Sequence, residues 1–143
     1  MESTFGLPKP KWLLWAGIAL LLWNLFGVAA FIMQATMSAE ALSSLPAEQQ
    51  ELWGDMGAAT WIAYAVAVGA GTLGAISVIL GRKWAVLLFL LSVAAIAAQF
   101  SYPLGYAWRN DMMSLMIFPA LIFIIAIAQW LFAGKWRDAG WLV

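Results

Sequence analysis

With 143 residues, 65% hydrophobic and only 10% charged, the chain is too apolar for a water-soluble domain, since such domains are about half apolar and about a quarter charged. Seven basic and seven acidic residues cancel, which leaves no electrostatic footprint for nucleic acid. Cysteine and histidine are absent. That excludes disulfides, thiol nucleophiles, cysteine–histidine zinc sites and iron–sulfur ligation, together with the commonest general base and haem ligand.

Four apolar runs, residues 12–33, 58–80, 84–102 and 112–133, contain no Asp, Glu, Lys or Arg. Each approaches the ~20 residues that cross ~30 Å of hydrocarbon. Backbone groups in lipid must bond within their own segment, so each run is predicted to be a helix. The first follows Lys9 and Lys11. It is longer than a signal-peptide core and lacks a small-residue cleavage site, so it is expected to be retained. Gly17, Asn24, Gly27 and Gln34 share one face of it. Asn24 lies near mid-membrane, where an unpaired amide is costly, so it is expected to bond another helix, with a ligand contact as the alternative.

The connection over residues 34–57 is long for a hairpin loop, and such loops often carry structure or function. Ser44-Leu45-Pro46 signals a helix start. Leu45, Leu52, Trp53 and Met56 then share one face, with Glu48, Glu51 and Asp55 on another. This predicts a short amphipathic helix on the outer membrane surface. The three carboxylates invite a calcium reading, but no EF-hand-like loop accompanies them, so a solvated acidic face is expected.

The second span carries a seam of small residues: Thr60, Ala63, Ala67, Ala70, Gly74, Ser77 and Gly81, alternating at three and four residues. Such a row lets a neighbouring helix approach closely, within the chain or in a homo-oligomer. Gly81-Arg82-Lys83 then joins spans two and three as a short turn. In span three Ala85, Ser92, Ala95 and Gln99 share a face, and in span four Pro119, Ala126, Gln129 and Ala133 do so. Pro119 is expected to kink span four. Between them, residues 101–111 read as an outer loop with Tyr102, Tyr106 and Trp108 as aromatic anchors and a local Arg109–Asp111 pair. The alternative is that this loop, with Gln34, Gln99 and Trp61, rims an outward-facing pocket. Val28-Ala29-Ala30 before Gln34 matches the spacing of Val93-Ala94-Ala95 before Gln99, a faint echo between spans one and three.

Basic residues flank the spans unevenly. Lys9, Lys11, Arg82, Lys83, Lys135 and Arg137 fall on one side and Arg109 alone on the other, which predicts cytoplasmic N- and C-termini. Lys11-Trp12, Lys83-Trp84 and Lys135-Trp136 repeat at the three cytoplasmic boundaries and are read as headgroup anchors. The expected fold is all-α: a single integral-membrane domain over residues 1–143, a four-helix transmembrane bundle.

The stretches Leu22-Trp23-Asn24-Leu25-Phe26-Gly27-Val28-Ala29-Ala30-Phe31-Ile32-Met33-Gln34, Thr36-Met37-Ser38-Ala39-Glu40-Ala41-Leu42 and Arg82-Lys83-Trp84-Ala85-Val86 resemble a group of small four-helix inner-membrane proteins of proteobacteria. The resemblance implies the same architecture in a bacterial inner membrane. Some members of that group are described as sugar transporters.

Two functions follow as expectations. The first is an accessory or scaffold subunit, with the lipid bilayer and a homo-oligomer or larger membrane complex as partners. Asn24, Gln34, Ser92, Gln99 and Gln129 then serve as polar packing groups. The second is a carrier for an uncharged solute, with the amides of Asn24, Gln34, Gln99 and Gln129 as ligand contacts and Trp61, Tyr64 and Trp108 as platforms. Four close-packed helices leave no channel, so a carrier would have to oligomerise. No HExxH, GxSxG or P-loop pattern is present, and no catalytic residue, cofactor or metal is expected.

Overall fold

The computed structural model describes residues 8–53 and 57–143, which are helical with no strand among them. The long helices are α1 (Trp12–Ala35), α4 (Ala58–Ile79), α5 (Trp84–Arg109) and α6 (Ile117–Asp138). Four helical stretches are long and apolar enough to cross a membrane. The first loop holds two short helices, α2 (Ala39–Ser43) and α3 (Ala47–Trp53), and a 3-10 turn over Met113–Met116 leads into α6. Ser38 caps α2 by accepting the Ala41 amide at 3.1 Å, and α3 starts directly after Pro46. In this loop Leu45 is half-buried and Glu48 and Glu51 are exposed. The side chains of Leu52 and Trp53, and residues Asp55 and Met56, lie outside the described residues.

The long helices pack in chain order, α1 on α4, α4 on α5 and α5 on α6. The central pair α4 and α5 buries the largest share of its residues and α1 the smallest. Helices α1 and α5 each pack on the long helix that follows, and α5 packs on α4 as well. α1 meets α4 where Gly17 faces Val78 and Ile79, and Gly27 faces Val68. The seam along α4 runs from half-buried Thr60 and Ala63 through buried Ala67, Ala70 and Gly74 to half-buried Ser77. Gly74 receives the Phe89 ring of α5, and a Cβ there would stand 2.7 Å from a ring carbon.

Several boundaries differ from those read in the sequence. The segment taken as an outer loop continues α5 to Arg109 straight through Pro103. A helical proline removes one backbone bond, and here its ring is fully buried. Pro119 does not kink a helix already under way: it lies in the first turn of α6, after the 3-10 turn. There the amide it lacks would have had no helical acceptor. No Arg109–Asp111 pair forms, since Arg137–Asp138 is the one ion pair among the described residues. Asp111 instead takes a left-handed conformation (φ 55°), which turns the chain so that Met112 donates to the Ala107 carbonyl at 2.8 Å.

Gly81 lies past the end of α4 rather than on its seam. With φ 70° it sets the Arg82 amide on the Ser77 carbonyl at 2.7 Å and its own on Val78 at 3.0 Å, the double bond that closes a helix at glycine. The chain beyond α6 folds back to this turn, where Val143 donates to Gly81 at 2.9 Å and Lys83 donates to Val143 at 3.2 Å. Leu142 is thereby buried with Leu13, Val78, Phe89 and Trp136. Trp136 is thus a core residue, edge-on to Trp12 at 6.1 Å and stacked with Phe132 at 5.9 Å. Trp12 and Trp84 remain exposed, so the anchor reading fails for the third Lys-Trp pair.

Candidate functional site

The interior polar groups come from three helices. Asn24, at the middle of α1, Ser92 and Gln99 of α5 and Gln129 of α6 are all buried, each at most 8% exposed. Asn24 Nδ2 donates to Gln129 Oε1 at 2.7 Å and to the Leu20 carbonyl of its own helix at 2.7 Å. Both amide hydrogens are therefore used. Its Oδ1 occupies the space where a Cβ would stand on Gly71 of α4, and so meets the glycine α-hydrogen, a weak C–H···O contact. Ser92 donates to the Ala67 carbonyl of α4 at 2.8 Å, and its Oγ lies 3.3 Å from the same Cβ position on Gly71. One glycine thus lets an asparagine and a serine approach α4 from two sides.

A second group sits nearer the end of the bundle that carries α2 and α3. Gln34 Nε2 donates to the Tyr64 hydroxyl at 3.1 Å. Tyr64 stacks on Trp61 at 6.0 Å, and Phe31 closes edge-on against both rings at 5.8 and 5.0 Å. Gln34 therefore engages α4, while Gln99 is buried on α5 and Trp108 is exposed. Tyr106, further along α5, donates to Glu51 of α3 at 3.4 Å, which ties the first loop to this end.

Of the residues singled out from sequence, Asn24 and Gln129 bond one another, and Ser92 shares Gly71 with Asn24. Gln34 pairs with Tyr64 instead of another amide. The seam reading missed Gly71, which carries the closest approach of all. Its signal was a second row, Ala67, Gly71 and Ala75, in which small residues recur every four positions. No buried side-chain nitrogen or oxygen among the described residues lacks a hydrogen-bond partner. The arrangement can clamp helices together, through Asn24 on Gln129 and Ser92 on the Ala67 carbonyl.

No protein-family model matches the chain, and neither a curated protein nor a solved structure matches it.

Proposed function

We propose that the chain is an accessory or scaffold subunit of a bacterial inner membrane, with both termini and the α4–α5 turn on the cytoplasmic side. The observation that carries this reading is the hydrogen bond between two buried amides on different helices, Asn24 on Gln129 at 2.7 Å. A carrier keeps interior polar groups for its solute, whereas here Asn24, Gln129 and Ser92 hold one helix to another. The spans read from sequence carry no Asp, Glu, Lys, Arg or His, so proton coupling has no carboxylate or imidazole to use. Helix α1 exposes Trp15, Phe26 and Met33, an apolar surface suited to lipid or to a larger membrane partner.

Purification in mild detergent followed by native mass spectrometry tests the reading, and a stoichiometric membrane partner is the expected result. Purified chain in liposomes is expected to show no solute uptake above empty vesicles. Saturable, stereoselective uptake of a sugar would replace the scaffold by the carrier.

A further inference from the structure

We propose that the cleft between α5 and α6 at the basic end of the bundle is a binding site for one anionic phospholipid. The cleft measures about 340 Å³. Val86 of α5 with Trp130 and Leu131 of α6 form its apolar wall, and Lys135, Arg137 and Asp138 form its rim. Gly134 lies between wall and rim, and a Cβ there would meet no atom within 4 Å, so this position opens onto free space.

The lining changes from Trp130 to Lys135 over about 7–8 Å of helix. A phospholipid presents acyl chain and then phosphate in the same order. A soluble anion would gain nothing from Val86, Trp130 and Leu131, and a wholly apolar occupant would gain nothing from the cations. Charge chooses between lipid headgroups. Lys9, Lys11, Arg82, Lys83, Lys135 and Arg137 gather at this end, with Asp138 the sole acid among the described residues there. Asp138 engages Arg137 through Nε alone, at 3.2 Å with both side chains exposed. The terminal guanidinium nitrogens can then address a phosphate, whose paired oxygens suit that fork. Basic pockets between transmembrane helices are a recurring headgroup site. The larger cleft toward the other end of the same helix pair, about 580 Å³, is lined by Phe100, Met116, Phe123 and other uncharged residues. It offers a headgroup phosphate no cation.

The test is native mass spectrometry of the full chain released from detergent containing equal amounts of phosphatidylglycerol and phosphatidylcholine. One phosphatidylglycerol retained in preference to phosphatidylcholine is expected. The double variant Lys135→Gln/Arg137→Gln should weaken retention about 30-fold, from roughly fivefold per cation, whereas Lys9→Gln/Lys11→Gln, outside the cleft, should change it less than about threefold. Gly134→Leu places a side chain in the opening, where its Cβ meets no atom within 4 Å, and should abolish retention at unchanged melting temperature, so it decides the matter even where the double variant fails to fold. Equal retention of the two lipids, equal loss in both double variants, or full retention in Gly134→Leu would overturn the site. So would inorganic phosphate displacing the lipid at comparable concentration.

Discussion

Asn24 shows how much one amide does when lipid surrounds the helices. Its two hydrogens are taken by Gln129 and Leu20, and its oxygen rests on Gly71. Asn24→Ala strips Gln129 of its donor inside the bundle and should cost about 1–3 kcal/mol, read as a lower midpoint in detergent-induced unfolding. Replacing both partners by leucine should recover part of that loss, because no polar group is then left unpaired. Gly71 makes a sharper contrast. Gly71→Ala pushes a methyl group into the asparagine, whereas Gly69→Ala, two residues away, meets no atom within 4 Å. The first is expected to lower the melting temperature clearly and the second hardly at all; equal effects would remove the close-approach argument.

At the scale of elements, the helix ends carry much of the local specification. Gly81→Ala forces an L side chain into a left-handed turn and should cost about 1–2 kcal/mol, and it also disturbs the Val143 pairing at 2.9 Å. Leu142→Ala empties a buried position in the cluster around Trp136 and should cost about 2–5 kcal/mol. Thermal unfolding of the two single variants checks both. The spans themselves were legible because lipid demands long uncharged runs, and nothing else in an ordinary chain looks like them. Their ends were not. Tyr102, Tyr106 and Trp108 suit the headgroup layer equally well as loop or as helix, so α5 continued to Arg109 unannounced. Pro119 was recognised as a helix irregularity but placed mid-span, because the preceding 3-10 turn has the same composition as the helix. Helical spacing identified the polar faces. It could not choose partners, since Asn24 and Gln129 stand 105 residues apart and Gln34 of α1 bonds Tyr64, 30 residues away on α4. Trp136 looked like its two counterparts in sequence, and the returning residues Trp141 and Leu142 belong to the cluster that makes it core.

For the whole molecule, the start of α1, the α4–α5 turn and the residues after α6 meet at one end, joined by Trp12 against Trp136 and Trp141 and by Val143 on Gly81. The absence of cysteine makes sidedness directly measurable. A single cysteine at exposed Ala41 should react with a membrane-impermeant maleimide in intact cells, and one at exposed Asp138 only after permeabilisation. The reverse pattern would invert the proposed orientation while leaving the bundle intact.

The bond between α1 and α6 also bears on how the chain is made. A helix delivered early from the ribosome carries an amide whose partner arrives only with the last span, so during synthesis Asn24 has the Leu20 carbonyl and little else. Nascent chains stalled before α6 should therefore be held by the insertion machinery or destroyed by membrane proteases. An Asn24→Leu substitution should let the same fragments persist.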